Sequence, residues 1–126
     1  MISTLLQVAL GGALGASARW GAGLAISRLV TPGGFPVPIL AVNIIGSFLM
    51  GVFVVVAAER GLTHLSPLVM TGVLGGFTTF SSFSLETVML FERGQPAQAA
   101  LYVALSVGGS VAALSVGLWA TRAVIA

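Results

Sequence analysis

"GGFTTFSSFS", residues 75–84, places two glycines, five hydroxyl side chains and three phenylalanines in ten positions of a stretch that carries no charge from Leu65 to Leu85. Glycine disfavours a helix by about 1 kcal/mol relative to alanine, and serine and threonine hydroxyls compete for backbone hydrogen bonds. A local break is therefore expected at Gly75-Gly76. At membrane depth a break strands carbonyl groups, which is tolerable only where they are buried in protein, line a cavity or hold a cation. Thr79, Ser82 and Glu86 share one side at helical spacing, and Phe77, Phe80 and Phe83 recur at every third position. The segment taken alone also fits a plain helix crossing, with small residues allowing close approach and phenylalanines filling gaps.

The rest of the chain makes membrane depth the relevant setting. Of 126 residues, 57% are hydrophobic, five are basic and three are acidic, and the mean hydropathy is +1.11. A soluble domain with an ordinary charged surface is excluded. All five basic residues are arginine, and a net charge of +2 is too small to suggest nucleic-acid binding. Cysteine is absent, which removes disulfides, thiol chemistry and cysteine metal ligands. The N-terminus has no positive leader region and no evident cleavage site, so the first apolar segment is read as retained.

A helix rises about 1.5 Å per residue and the hydrocarbon core is about 30 Å thick, so each crossing needs roughly 20 mostly apolar residues. Four such segments fit, at about 4–29, 39–58, 67–91 and 97–123, separated by "TPGGFPVP" (31–38), by Glu59-Arg60-Gly61 and by Glu92-Arg93-Gly94 before Pro96. The expected fold is an all-α integral membrane protein, one domain over residues 1–126, with the third helix broken near its middle. No internal repeat is evident, so any symmetry has to come from a second copy. Arg60 and Arg122 fall on one side of the membrane and Arg28 and Arg93 on the other. The positive-inside rule then gives almost no instruction, and insertion in both orientations followed by antiparallel pairing is expected.

Each helix offers a face to that assembly. In the first, Gly11, Gly15, Arg19 and Gly23 recur every four residues beside Gly12 and Ala16, a smooth surface for close contact. An intramembrane arginine must face protein or water, so Arg19 reads either as part of a wet vestibule attracting anions or as a side chain snorkelling to the surface. In the second, Asn43 is the one strongly polar side chain, next to Gly46 and Ser47. Its amide must find partners in a bilayer, whether as glue between helices or as a ligand contact. The fourth carries Tyr102, Ser106 and Ser110 at intervals of four, a polar line that also fits hydroxyls bonding their own helix.

The polar inventory holds hydroxyls, one amide, phenylalanine edges and arginine, with no carboxylate pair and no histidine or cysteine cluster. Such groups donate to an anion but cannot do acid–base chemistry or bind a catalytic metal. An enzyme is therefore not expected. The edges of a phenyl ring are the positive part of its quadrupole and can replace some hydration around a small, hard anion. A narrow anion pore follows, with the choice among halides left open.

Three motifs carry a more specific likeness: "GGALGASAR" in the first helix, "NIIGSFLMG" in the second and "GVLGGFTTFSSFS" in the third. Together they resemble the Fluc family of fluoride channels, also called CrcB, along the whole chain. Ser82 stands where the family pattern is expected to have threonine. The resemblance implies an antiparallel, dual-topology homodimer in a bacterial-type inner membrane, with two fluoride pores along the subunit interface. These pores export fluoride passively and confer fluoride resistance. It further implies a structural Na⁺ at the dimer centre, held by the backbone carbonyls of Gly75 and Thr78 from both chains. Phe80, Phe83 and Asn43 match pore residues, Arg19 the vestibule arginine, and Tyr102, Ser106, Ser110, Ser81, Ser82 and Glu86 the polar track. Two rivals remain. A small dual-topology, proton-coupled drug exporter needs an acid in the membrane, usually in the first helix, where this chain has Arg19. A structural subunit of a larger membrane complex would suit the glycine faces but not the hydroxyl-phenylalanine run.

Overall fold

The computed structural model describes residues 1–30 and 33–125. Thr31 and Pro32, the first two residues of the expected 31–38 loop, lie outside the described residues. Everything regular in the rest is helical. The long helices are α1 (Ile2–Leu29), α2 (Val37–Arg60) and α5 (Pro96–Ile125), and between the last two lies an interrupted segment. It begins with a 3₁₀ turn at Thr63–Leu65 and widens into π-helical turns over Pro67–Leu74. It continues as the short α3 (Gly75–Phe77), breaks, and resumes as α4 (Phe80–Glu92).

The helix ends follow from local chemistry. α2 starts at Pro36-Val37-Pro38, where the missing N–H groups cost nothing, and stops at Gly61, whose φ of 66° only glycine adopts freely. The Leu62 N–H reaches back to the Ala57 carbonyl at 2.9 Å, closing the end. α4 stops in the same way: Gly94 has φ 76° and the Gln95 N–H donates to the Leu90 carbonyl at 3.1 Å. Pro96 then opens α5. Among the described residues three segments, Val37–Arg60, Thr63–Glu92 and Pro96–Ile125, are long and apolar enough to cross a membrane. α1 matches them in length at 28 residues, but its glycines, Gln7 and Arg19 dilute its apolar character.

Packing divides the chain into two pairs, each joined through glycine. α2 lies along α5, and the contact is reciprocal. A side chain on Gly51 would strike the Leu114 carbonyl, and one on Gly117 would strike the Phe48 carbonyl. α1 lies along residues 67–77 in the same manner. A β-carbon on Gly72 would come within 2.8 Å of the Gly11 Cα, and one on Gly76 within 2.8 Å of the Gly12 carbonyl oxygen. Small residues at these crossings let backbones touch, which is how helices associate where lipid removes the hydrophobic drive between them. Of the first-helix face, Gly11 and Gly15 serve the contact; a β-carbon on Gly12 or Gly23 would meet open space. Large apolar side chains such as Leu5, Leu10, Leu14, Val107 and Trp119 point outward, the inverse of a water-soluble surface.

The glycine pair does not make the break. Gly75 is helical (φ −64°, ψ −36°), and a side chain on Gly76 would collide with α1, so Gly76 is needed for packing. The chain leaves the helix at Thr78 (φ −89°, ψ 156°) and Thr79 (φ −150°, ψ 112°), in the extended region that β-branched residues favour. Thr79 then caps α4, its hydroxyl accepting from the Ser82 N–H at 3.1 Å.

Candidate functional site

Breaking a helix diverts its hydrogen bonds, and two side chains from other helices take up the loose ends. Asn43 of α2 grips the Thr79 peptide from both sides: its Oδ1 accepts from the Thr79 N–H at 2.8 Å, and its Nδ2 donates to the Thr79 carbonyl at 3.2 Å. Arg19 of α1 donates from Nε to the Gly76 carbonyl at 3.1 Å. Thr78 remains tied to the end of α3, its N–H and Oγ1 both donating to the Leu74 carbonyl at 3.0 and 2.9 Å. The interruption is thus held from three directions, as irregular backbone at this depth requires.

Beside it runs a groove of about 380 Å³. Asn43, Gly46, Ser47 and Met50 of α2 form one wall and Ser106, Val107, Ser110, Val111 and Leu114 of α5 the other. Thr78, Thr79, Phe80 and Phe83 close its inner end. The two phenylalanines stand differently. Phe83 is 8% exposed and packs between Phe80 and Tyr102, with ring centroids 5.3 Å away on each side, whereas Phe80 is 76% exposed and projects out of the chain. Phe80 meets Phe83 edge-on at 62°, an arrangement that turns ring hydrogens toward a neighbour.

Tyr102 is fully buried behind Phe83 and also meets Phe35 edge-on at 84°. Its hydroxyl and that of Ser106, one turn further along α5, are buried without a hydrogen-bond partner among the described residues. Several hydroxyls elsewhere in the chain are spent within their own helix: Ser27, Ser84, Thr87, Ser115 and Thr121 each donate to the carbonyl four residues back.

Of the residues singled out in the sequence, Asn43, Phe80, Phe83, Thr78, Ser106 and Ser110 come together on this groove, with Tyr102 directly behind it. Ser81 stands at its edge, its hydroxyl 3.2 Å from that of Thr79, and Ser82 enters through its backbone N–H to the Thr79 cap. Glu86 is half-buried further along α4 and does not line the groove. Arg19, bonded to the Gly76 carbonyl, borders a separate groove with Trp20, Ser27 and Pro38. Ser47 and Thr79, named in the sequence for their spacing but given no role at a site, are further polar residues of the lining. Ser47 sits one turn after Asn43 on the same face, and Thr79 stands three residues before Ser82, the spacing of an N-cap.

A chain whose described residues are helical throughout, with several helices long and apolar enough to cross a membrane and one of them interrupted beside a groove, is a multi-pass membrane protein. Residues 6–118 match the family described as CrcB-like protein, Camphor Resistance (CrcB). The chain is 64% identical over 125 residues to a protein of Ruegeria sp. (strain TM1040), covering 99% of both chains. It is 76% identical over 94 residues to one of Jannaschia sp. (strain CCS1), covering 75% of this chain and 90% of the other. With one of Paracoccus denitrificans (strain Pd 1222) it shares 52% identity over 126 residues, the full length of both. All three relatives are named fluoride-specific ion channel FluC. The chain belongs to the CrcB family, whose members are ion channels and not enzymes.

Proposed function

We propose that this protein is a fluoride-selective channel acting as an antiparallel homodimer in a bacterial-type inner membrane. Four helices per chain cross the bilayer, with α1 as one of them. Its 28 residues span about 42 Å at 1.5 Å each, more than the roughly 30 Å of hydrocarbon. Two pores lie at the subunit interface and let cytoplasmic fluoride leave down its gradient, which gives the cell fluoride resistance.

The observation that carries this reading is the groove itself. Its polar groups are an asparagine amide and hydroxyls, without a carboxylate or an ammonium on the lining. Neutral donors of this kind replace hydration around an anion without holding it so tightly that it cannot leave. The groove is open on one side, and Phe80 is exposed there; a second copy supplies the missing wall and the burial that a phenylalanine otherwise lacks. Phe80 and Phe83 then offer ring edges, Asn43, Ser106, Ser110 and the Tyr102 hydroxyl offer donors, and Ser81, Ser82 and Glu86 extend the polar path along α4. Arg19 contributes positive charge near the aqueous entry. A passage of neutral donors and ring edges favours a small, strongly hydrated anion and excludes wider ones by its width.

The break also suits a structural Na⁺ at the dimer centre. In an unbroken helix the Gly75 carbonyl would accept from the Thr79 N–H and the Thr78 carbonyl from the Ser82 N–H. Those donors go instead to Asn43 Oδ1 and Thr79 Oγ1. Carbonyl oxygens relieved of their helical partners are suitable ligands for a hard cation, and two from each chain give a set of four. Bound there, the ion would hold the two interrupted segments together.

The test is fluoride efflux from liposomes containing only the purified protein, with valinomycin and K⁺ to balance charge and a chloride assay alongside. Rapid fluoride loss with negligible chloride loss is expected. Absence of fluoride efflux from a folded dimer would overturn the assignment, and pH-driven uptake of a cationic dye would point to a drug exporter instead.

A further inference from the structure

The break presents several carbonyls, but only some are available to a cation, and the side chains that decide which come from outside the interrupted segment. Arg19 occupies the Gly76 carbonyl and Asn43 occupies that of Thr79. The same asparagine takes the Thr79 N–H away from Gly75, and the Thr79 hydroxyl takes the Ser82 N–H away from Thr78. Gly75 and Thr78 are thereby left without their helical donors, as is Phe77, since no Ser81 N–H bond reaches back across the break.

We propose that Arg19 and Asn43 are positioning residues of opposite effect on cation binding at the break. Asn43 creates the site by diverting a donor, and Arg19 restrains it by occupying a neighbouring carbonyl and placing a positive charge beside it. This rests on the channel reading above for its location at a dimer centre, but its chemistry stands on the hydrogen bonds alone. Asn43 also lines the groove, so one amide joins the anion path to the cation site: its Oδ1 serves the backbone while its second N–H remains for cargo. Arg19 makes the cation site weaker than four bare carbonyls would be, because a guanidinium hydrogen-bonded to the adjacent Gly76 carbonyl opposes a second positive charge beside it.

The two effects separate experimentally because their signs differ. Sodium binding to the purified full-length protein in detergent is measured calorimetrically with NaCl, against N-methyl-glucamine chloride as the blank. Arg19→Gln is the informative variant. The glutamine amide nitrogen lies the same number of bonds from Cα as arginine Nε, so the bond to Gly76 is kept while the charge is lost. Sodium binding by Arg19→Gln is expected to tighten about tenfold, about 1.4 kcal/mol. Asn43→Leu returns the Thr79 N–H to Gly75 and is expected to weaken binding by at least a similar factor. Thr79→Val, which returns the Ser82 N–H to Thr78, weakens it too and serves if Asn43→Leu does not fold. A merely structural role for Arg19 and Asn43 predicts loss of binding in both, so weakening by Arg19→Gln would overturn the proposal, as would unchanged binding in either variant. Absence of sodium binding by the wild type with fluoride efflux intact would overturn this inference and leave the channel assignment standing. Sodium binding with the expected opposite shifts, but no fluoride efflux, would support the inference and overturn the channel assignment.

Discussion

Gly12 and Gly15 lie less than one turn apart in α1, and replacing each by alanine should give different proteins. A β-carbon at Gly12 meets nothing within 4 Å, while one at Gly15 runs into the Val73 carbonyl oxygen and comes within 2.9 Å of the Phe77 nitrogen. The obstruction is backbone on another helix, so no rotamer relieves it. To bring the Phe77 contact from 2.9 Å to an ordinary 3.4 Å, α1 must move about half an ångström from its neighbour at that point, and the Val73 oxygen demands more. Overpacking of this kind costs about 1–3 kcal/mol. The intrinsic preference of helix for alanine over glycine is the same at both positions and cancels between the variants, so the difference in stability should be the contact term alone. The Arg19 Nε bond to the Gly76 carbonyl, 3.1 Å long, is one turn away on the same helix. Half an ångström of separation takes it beyond the range of an effective hydrogen bond. Gly15→Ala should therefore melt several degrees below Gly12→Ala in detergent and conduct fluoride more slowly in liposomes, with Gly12→Ala at or above wild type in both. Equal melting temperatures and equal fluxes for the two variants would refute the argument that α1 is fastened through main-chain contact.

Phe80→Ile and Phe83→Ile should each abolish fluoride efflux while the protein still elutes as a dimer; wild-type rates from a well-folded Phe80→Ile dimer would remove that ring from the mechanism. Phe83→Ile should also lower stability, since Phe83 is packed against two rings within its own chain. Ser106→Ala deletes a buried hydroxyl that bonds nothing else among the described residues, so thermal stability should hold or rise while fluoride flux falls; a loss of stability with unchanged flux would make Ser106 structural. Gly51→Leu drives a side chain into the Leu114 carbonyl and should separate α2 from α5, seen as loss of the folded peak in size-exclusion chromatography; a folded, conducting Gly51→Leu protein would show that this contact is dispensable.

Helical character and a special role for residues 75–84 were legible because composition and spacing act locally. The position of the break was not. Gly75-Gly76 looked like the weak point by propensity, but glycine is as useful for close approach as for flexibility, and only the neighbour α1 decides between these uses. The real exit from the helix, at Thr78-Thr79, depends on two β-branched residues, a cap to Ser82 and a clamp from Asn43, which is 36 residues earlier in the chain. The sequence reading left Asn43 undecided between glue and ligand. Its contacts with Thr79 make it glue for one peptide, and its place on the groove keeps a ligand role open to its remaining N–H. Arg19 was read as wet or snorkelling because an intramembrane arginine must avoid lipid; a carbonyl partner leaves no trace in residue type. Polar spacing on α5 fared better, since Tyr102, Ser106 and Ser110 needed only helical geometry to share a face.

The reciprocal seating of Gly51 on Leu114 and of Gly117 on Phe48 has a bearing on how steady a passage through this groove would be. Both walls, α2 and α5, are spaced by main chain against main chain. Side-chain rotamers hop in picoseconds to nanoseconds, but shifts of whole helices belong to microseconds and longer. A gap set by side chains flickers on the timescale at which an ion passes; one set by backbones keeps its width while many ions go through. Sieving by size would then need no gate at these two walls, and their spacing would be a property of the fold and not of any side chain that lines them.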